Sequence, residues 1–123
     1  MAWLKNRFRY AWAGIRYGLV EDKSIRLQCI LGCLATLASA FFHISSEDWL
    51  WIGLAITLVI MAEIFNSCIE KTVDYISLER NPKAKVIKDM AAGAVLVASL
   101  FALVVALIIL FPPFLTWIQT LIR

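Results

Sequence analysis

Three long apolar runs dominate the pattern of hydrophobic and polar positions along this chain. The first, residues 27–46, contains twenty residues and no formal charge, and the last, residues 90–111, contains twenty-two and is followed by two prolines. The middle run, residues 49–69, is interrupted by one acid, Glu63. Because a helix needs about 20 mostly apolar residues to cross a bilayer, the pattern predicts three membrane spans.

Residues 1–20 have a different pattern, in which apolar residues recur at helical spacing. Leu4, Phe8 and Ile15 share one helix face, whereas basic residues such as Arg9 lie away from it. This pattern predicts an amphipathic helix in the membrane interface, although a helix packed over the end of the bundle would also produce it. The expected fold is therefore an all-α membrane protein, with an N-terminal interfacial helix and three transmembrane helices in one domain over residues 1–123.

Composition and charge exclude a free-standing soluble domain and give the spans a direction. Hydrophobic residues make up 62% of the 123 residues, too many for so short a chain to bury on its own. Six Lys and Arg residues precede the first span and five lie in residues 70–89, whereas none separates the first two spans and one follows the third. The positive-inside rule predicts that the N-terminus and the 70–89 segment, a loop with helix ends, are cytoplasmic and the C-terminus is outside.

The second span carries an acidic stripe, formed by Glu63, Asn66, Glu70 and Asp74. At 100° per residue these four positions fall within about 80° of the helix surface. Ionisable residues inside a span are costly and usually functional. At 1.5 Å per residue, the stripe begins about 21 Å from Trp49 at the outer end of the span and reaches the cytoplasmic surface. The stripe therefore faces the region where water-soluble anions meet lipid headgroups.

The acidic stripe and the lysines that follow it predict magnesium–nucleotide chemistry. Mg²⁺ prefers carboxylate and phosphate oxygens, and Lys88 at the start of the third span could bind phosphate. No glycine-rich loop of a common nucleotide fold is present. Three other interpretations remain open from the residues alone: an interhelical ion pair between Lys88 and Glu70 or Asp74, a small proton-coupled transporter that uses Glu63, and a non-catalytic membrane subunit.

The run from Glu63 to Asp74 resembles the signature of the small prokaryotic diacylglycerol kinase and undecaprenol kinase family, E-x-x-N-[ST]-A-I-E-x-x-V-D. Residues 88–95 resemble the family's second motif, K-D-x-x-x-[AG]-A-V, at the family's spacing. The resemblance covers essentially residues 3–111. It implies a homotrimeric lipid kinase of the bacterial cytoplasmic (inner) membrane, with its active site on the cytoplasmic side, that uses ATP and Mg²⁺ to phosphorylate a lipid hydroxyl.

The resemblance also implies roles for individual residues. Glu63 is expected to be the general base near the lipid hydroxyl, and Asn66 to orient the reacting groups. Glu70 is expected to bind the metal together with Asp22, where the family usually has Glu; the neighbouring Glu21 is the alternative ligand. The remaining expectations are a supporting role for Asp74, substrate contact at Ala92, and ATP contacts at Tyr10, Asp22, Glu70, Glu79, Arg80, Asn81, Lys88 and Asp89.

The segment 81–95 bears on the lipid substrate. It begins Asn-Pro-Lys-Ala-Lys and resembles the undecaprenol kinase branch of the family, which has H-P-x-A-K-x-x-K-D; Asn81 replaces the histidine. The diacylglycerol kinase branch usually lacks the Pro-x-Ala-Lys segment. The expected reaction is therefore the conversion of undecaprenol to undecaprenyl phosphate, with the conversion of diacylglycerol to phosphatidic acid as the alternative.

Overall fold

The computed structural model describes every residue from Met1 to Arg123 and contains five helices and no strand. Each connection between consecutive helices is five residues or shorter, so almost the whole chain is helical. The helices are α1 (Ala2–Glu21), α2 (Lys23–Phe41), α3 (Ser46–Ile76), α4 (Pro82–Ile109) and α5 (Phe111–Ile122).

Helices α2, α3 and α4 are each long and apolar enough to cross a membrane. The predicted all-α fold, with an N-terminal helix followed by three spans, is therefore confirmed. No residue of α1 is buried, and most of its large apolar side chains, including Trp3, Phe8 and Trp12, are exposed on the single chain. The location of α1 in the membrane interface stays a prediction.

A single residue, Asp22, separates α1 from α2. Its carboxylate oxygen Oδ1 accepts hydrogen bonds from the backbone N–H groups of Ser24 (2.9 Å) and Ile25 (3.1 Å), which makes Asp22 the N-cap of α2. From the first turn of α2, the Arg26 guanidinium donates to the carbonyl oxygen of Val20 (2.5 Å), one of the last carbonyls of α1. These contacts satisfy the free backbone groups on both sides of the junction and fix the turn between the two helices.

Helix α3 is longer than the apolar run that predicted it, residues 49–69. It begins at Ser46 because the hydroxyl of Ser45 accepts a hydrogen bond from the Asp48 N–H (3.1 Å) and caps the helix. Its 31 residues are about 46 Å long, more than the roughly 30 Å of a bilayer core, so the helix projects beyond the hydrocarbon region. The connection to α4 is correspondingly short, residues 77–81, and most of the predicted 70–89 segment is helical.

Helix α3 forms the centre of the bundle and packs mainly against α4, with α2 on another side. The core near the α2–α3 turn consists of Ile52 and Ala55 from α3 and Val105 from α4. Only ten residues of the chain are buried, and most large apolar side chains of the spans are exposed. Such surfaces are stable against lipid or against further helices, but not in water.

The chain after α4 differs from the prediction, because Pro112 and Pro113 do more than end the third span. Helix α4 ends at Ile109, and both prolines lie in the first turn of a further helix, α5. Proline is favoured there because the first N–H groups of a helix have no intrahelical partner. The apolar run 90–111 therefore belongs to two helices.

Candidate active site

The acidic stripe of α3 runs from the interior of the bundle to its surface. Glu63 and Asn66 are buried, with exposed fractions of 5% and 9%, whereas Glu70 and Asp74 are exposed. The Glu63 carboxylate makes no hydrogen bond or ion pair within the chain. Its electrostatic neighbours are two other carboxylates, those of Asp22 and Glu70. A buried acid with only acidic neighbours is costly, which is typical of a functional group rather than a stabilising one.

Ser67 connects the stripe to the start of α2. Its side chain is buried, and its hydroxyl donates a hydrogen bond to the Asp22 carboxylate oxygen Oδ2. This hydrogen bond, together with the Ser24 and Ile25 N–H groups and the positive charge of Lys71, holds the pKa of Asp22 below its ordinary value against the opposing effect of partial burial. Asp22 thus stays ionised at the head of α2, close to Glu63.

Sequence reasoning gave Ser67 no role. A serine in a membrane helix usually bonds to a carbonyl of its own helix, as Ser39 does to Ala35 (2.7 Å), so its presence alone carries little information. The available signal was its position four residues after Glu63, which puts it next to the stripe on the helix surface. The position in the sequence did not show which residue of another helix the Ser67 side chain would contact.

Asn66 and Glu70 form the part of the stripe that fits a metal ion. The Asn66 amide Nδ2 donates to the Glu70 carboxylate at 3.3 Å, and the buried carbonyl oxygen Oδ1 of Asn66 has no hydrogen-bond partner. A buried acceptor without a donor is unfavourable, and a hard cation would satisfy it.

A complete metal cage is absent, since no three His, Cys, Asp or Glu side chains of the chain converge on one point. Mg²⁺ does not need one, because it usually binds through one or two carboxylates and completes its shell with water and phosphate oxygens. Of the two expected acids before the first span, Asp22 lies beside the stripe, whereas Glu21 is exposed at the end of α1 and makes no side-chain hydrogen bond. The oxygen ligands near Asn66 therefore fit Mg²⁺ bound with phosphate.

A cleft of about 650 Å³ opens at the connection between α3 and α4. Its wall is rich in charged side chains from the ends of both helices. Asp74 belongs to the acidic stripe and also lines this cleft, so the two features adjoin. The cleft contains five of the residues expected to bind ATP, which are Glu79, Arg80, Asn81, Lys88 and Asp89.

Several charged groups in the cleft already have partners within the chain. The Lys88 ammonium lies 2.6 Å from the Asp74 carboxylate, and Lys85 lies 2.5 Å from Asp89. The Lys88–Asp74 pair is one of the interhelical ion pairs considered above. The two side chains are 38% and 48% exposed, and such pairs contribute at most about 1 kcal/mol. Asn81 is the N-cap of α4, accepting from the Lys83 N–H at 2.8 Å.

Two expected site residues lie apart from both features in the single chain. Tyr10 is an exposed residue of α1 that makes no side-chain hydrogen bond and does not line the cleft, and Ala92 is exposed on α4. The other expected site residues form two groups in the chain rather than one. Asp22, Glu63, Asn66 and Glu70 form the first, and the cleft forms the second.

Comparison with known proteins gives a consistent result. The sequence profile of the family described as prokaryotic diacylglycerol kinase matches residues 9–110. The chain is 34% identical to a diacylglycerol kinase of Synechocystis over 110 residues, which are 89% of this chain and 63% of that protein. It is 30% identical to the undecaprenol kinase of Bacillus subtilis over 105 residues, 85% of each chain. It is 29% identical to the diacylglycerol kinase of Escherichia coli over 105 residues, 85% of this chain and 86% of that one.

Proposed function

This chain belongs to the prokaryotic diacylglycerol kinase family, a family of membrane lipid kinases, and from that premise we propose that it transfers the γ-phosphate of ATP to a lipid hydroxyl. The observation that carries the proposal is the buried, unpaired Glu63 at the inner end of a stripe that leads to a polar cleft. A base next to the hydrocarbon and a phosphate-binding cleft next to water are what phosphoryl transfer to a lipid needs.

In the proposed reaction the lipid hydroxyl oxygen attacks the γ-phosphorus of ATP. A new oxygen–phosphorus bond forms, the bond to the ADP oxygen breaks, and the hydroxyl proton passes to the Glu63 carboxylate. Glu63 can accept that proton because its carboxylate makes no hydrogen bond or ion pair within the chain. The Asn66 amide donates a hydrogen bond to the Glu70 carboxylate and thereby orients this carboxylate next to Glu63.

We assign the binding of the ATP phosphates, the phosphate end of the site, to Glu70, Asp22 and the cleft. Mg²⁺ bound by Glu70 and Asp22 would neutralise charge on the transferred phosphate. Lys88 and Arg80 are the cations of the cleft best placed for the nucleotide, since Arg80 makes no ion pair and Lys88 can exchange Asp74 for a phosphate. Asp74 would then support the site by positioning Lys88.

A lipid phosphorylation assay tests this function. The purified chain is incubated in mixed micelles with γ-labelled ATP, Mg²⁺ and either undecaprenol or diacylglycerol. We expect labelled lipid from at least one of the two, and no label in either would refute the kinase proposal. The proton-coupled transporter is distinguished by proton flux into vesicles that depends on Glu63 and needs no ATP.

For the lipid itself we propose undecaprenol, because the Asn-Pro-Lys-Ala-Lys segment at residues 81–85 resembles the undecaprenol kinase branch. Diacylglycerol is the second candidate, favoured by the 34% identity to a protein named diacylglycerol kinase. With the two lipids supplied together at equal concentration, the larger kcat/KM identifies the preferred substrate. A clear preference for diacylglycerol would refute the assignment to undecaprenol.

Two variants of the stripe separate the base from the metal ligand. Glu63→Gln is expected to lower kcat by about 10² or more and to leave nucleotide binding nearly unchanged, since the proton acceptor is lost but the phosphate end is intact. Glu70→Gln is expected to abolish Mg²⁺-dependent ATP binding in a chain that still folds. Parallel loss of ATP binding in both variants would contradict the assignment of Glu63 as the base.

We also propose a homotrimer in the bacterial cytoplasmic membrane, with the cleft on the cytoplasmic side. Tyr10 lies outside the cleft in one chain, and the exposed apolar faces of α2–α4 could contact neighbouring copies. Mass spectrometry of the detergent-solubilised protein gives the copy number. Labelling of Ser77→Cys by an impermeant maleimide, in vesicles of known orientation, gives the side of the cleft.

A further inference from the structure

Helix α5 lies outside the residues matched by the family profile, which end at 110, and none of the site residues belongs to it. Its sequence is strongly amphipathic. Every polar side chain from residue 114 onward falls within about 100° of the helix surface, and the opposite face is apolar. These polar residues are Thr116, Gln119, Thr120 and Arg123.

Helix α5 follows α4 after a break at Leu110, and Pro112 and Pro113 remove two backbone hydrogen-bond donors there. Leu110, between the two helices, packs together with Ile44 against the core that contains Ile52, and so marks the end of the bundle formed by the α2–α3 turn. The Trp117 ring centroid in α5 lies 5.8 Å from the ring centroid of Phe41, the last residue of α2. Helix α5 is therefore in contact with the end of α2 as well as joined to α4.

The apolar face of α5 is incompletely covered by the chain. Phe114 and Leu121 on this face are 41% and 64% exposed. A helix of twelve residues is marginal in water, so a surface that buries its apolar face is needed for it to persist. The Phe41 end of α2, which α5 contacts, belongs to a helix that is long and apolar enough to cross a membrane, so we expect the hydrocarbon boundary near the last residues of this helix.

The polar face of α5 is suited to lipid headgroups. The helix contains no acidic residue, and its C-terminal neighbour Arg123 is the one side chain with a formal charge after Asp89. The hydroxyls of Thr116 and Thr120 donate to carbonyl oxygens of the same helix, at 3.2 Å and 2.6 Å, so they need no water. Such a helix can lie deep in the interface, with its polar edge among headgroups and Arg123 near their phosphates.

We propose that α5 is a membrane-binding helix that lies in the headgroup–hydrocarbon boundary of the leaflet opposite the acidic stripe. Its partner is the lipid surface of the membrane that the chain itself spans. The Trp117 ring, in contact with Phe41, ties this helix to the end of α2 and so joins the ends of the first and third spans on that side of the bilayer. Neither the kinase reaction nor the identity of its lipid substrate enters this proposal.

Site-directed spin labelling of two neighbouring positions tests the proposal. Cys29, Cys33 and Cys68 are replaced by alanine, and one new cysteine is introduced by Leu121→Cys or by Gln119→Cys. The two positions lie at nearly the same height on the helix but about 160° apart around it, so each is the control for the other. The full chain is reconstituted in phosphatidylethanolamine–phosphatidylglycerol vesicles, and the collision rates of each label with oxygen and with a water-soluble nickel chelate are measured.

If α5 lies in the interface, the Leu121 label collides at least several-fold more with oxygen than with nickel, relative to the Gln119 label. Two results would overturn the proposal. High nickel collision at both positions would mean that the helix is in water. Low collision with both reagents at Leu121, with dipolar broadening between labels, would mean that a second copy of the chain covers the face.

A second measurement keeps the native cysteines. Brominated lipids quench tryptophans near the bilayer, and the difference between the wild type and Trp117→Phe isolates the signal of Trp117. We expect this difference signal to be quenched most by bromines close to the headgroup. A difference signal that bromine at any depth leaves unchanged would overturn the proposal without reference to the spin labels.

Discussion

Replacing Ser67 by alanine removes the one side-chain hydrogen bond that joins the start of α2 to α3. The Ser67 hydroxyl is buried and its acceptor is the ionised carboxylate of Asp22. A hydrogen bond to a charged group contributes about 1.5–3 kcal/mol, and the partial exposure of Asp22 reduces this. We therefore expect Ser67→Ala to lower the free energy of unfolding by about 1–2 kcal/mol, a factor of about 5–30 in the folded-to-unfolded ratio.

Ser39→Ala is the matched control for this variant. Ser39 is also a buried serine of a membrane-spanning helix, but its hydroxyl bonds to a carbonyl of the same helix, so its loss should cost less than about 0.5 kcal/mol. Both variants are unfolded with sodium dodecyl sulfate in mixed micelles and followed by circular dichroism. Ser67→Thr keeps a hydroxyl and should recover most of the stability. Equal losses in Ser67→Ala and Ser39→Ala would refute the reasoning.

The effect of Ser67→Ala should also depend on pH. The pKa of Asp22 is lowered in the folded chain, chiefly by the Ser67 hydroxyl, so the stability it confers is present above the ordinary Asp pKa of about 3.9 and is lost as the pH falls through the lowered value. The difference between wild type and Ser67→Ala is therefore full at neutral pH and shrinks below pH 4. Measured in metal-free buffer with a chelator, a difference that grew on acidification would contradict this cause.

Two further predictions concern the cleft and the α1–α2 junction. Lys88→Gln should raise the KM for ATP at least several-fold because the cation is lost, whereas Asp74→Asn, which keeps the cation and removes only its positioning partner, should raise the KM less. Equal stability losses with no change of KM in either variant would mean that the pair is only a structural contact. Arg26→Gln removes the donor to the last carbonyls of α1, so amide hydrogen exchange at the end of α1 should accelerate by about 5-fold or more, whereas Arg9→Gln, with no such bond, should leave it unchanged.

The three spans could be predicted because each rests on a property of a continuous stretch of sequence. A run of about 20 apolar residues has few stable alternatives to a membrane helix. The ends of the helices were harder to predict, since they depend on single capping residues outside the apolar runs, such as Ser45 before α3 and Asn81 before α4. Helix α5 was missed because Pro112 and Pro113 were interpreted only as the end of a helix. Prolines begin helices as readily as they follow them.

The same distinction applies to the candidate site. Positions that share a face of one helix could be predicted from the sequence, whereas contacts between two helices could not. The acidic stripe could be predicted because residues three and four apart on a helix necessarily share a face. The Asp22–Ser67 and Asp74–Lys88 contacts each join residues of different helices, and helical periodicity contains no information about which helix will be the neighbour. Only the packing of α3 against α2 and α4 supplies it.

The N-cap of α2 also bears on the second metal ligand, for which the sequence left Asp22 and Glu21 as alternatives. The resemblance to the family implies a glutamate at the position of Asp22. The shorter aspartate side chain is the better cap because it reaches back to the N–H groups of Ser24 and Ile25. That cap uses Oδ1 and fixes Oδ2 beside Ser67 and near Glu63, where the neutral hydroxyl can give way to a cation. Glu21 is exposed at the end of α1, without any contact that would hold it toward the stripe. The position imposed by capping thus supports our proposal that Asp22, rather than Glu21, is the second metal ligand.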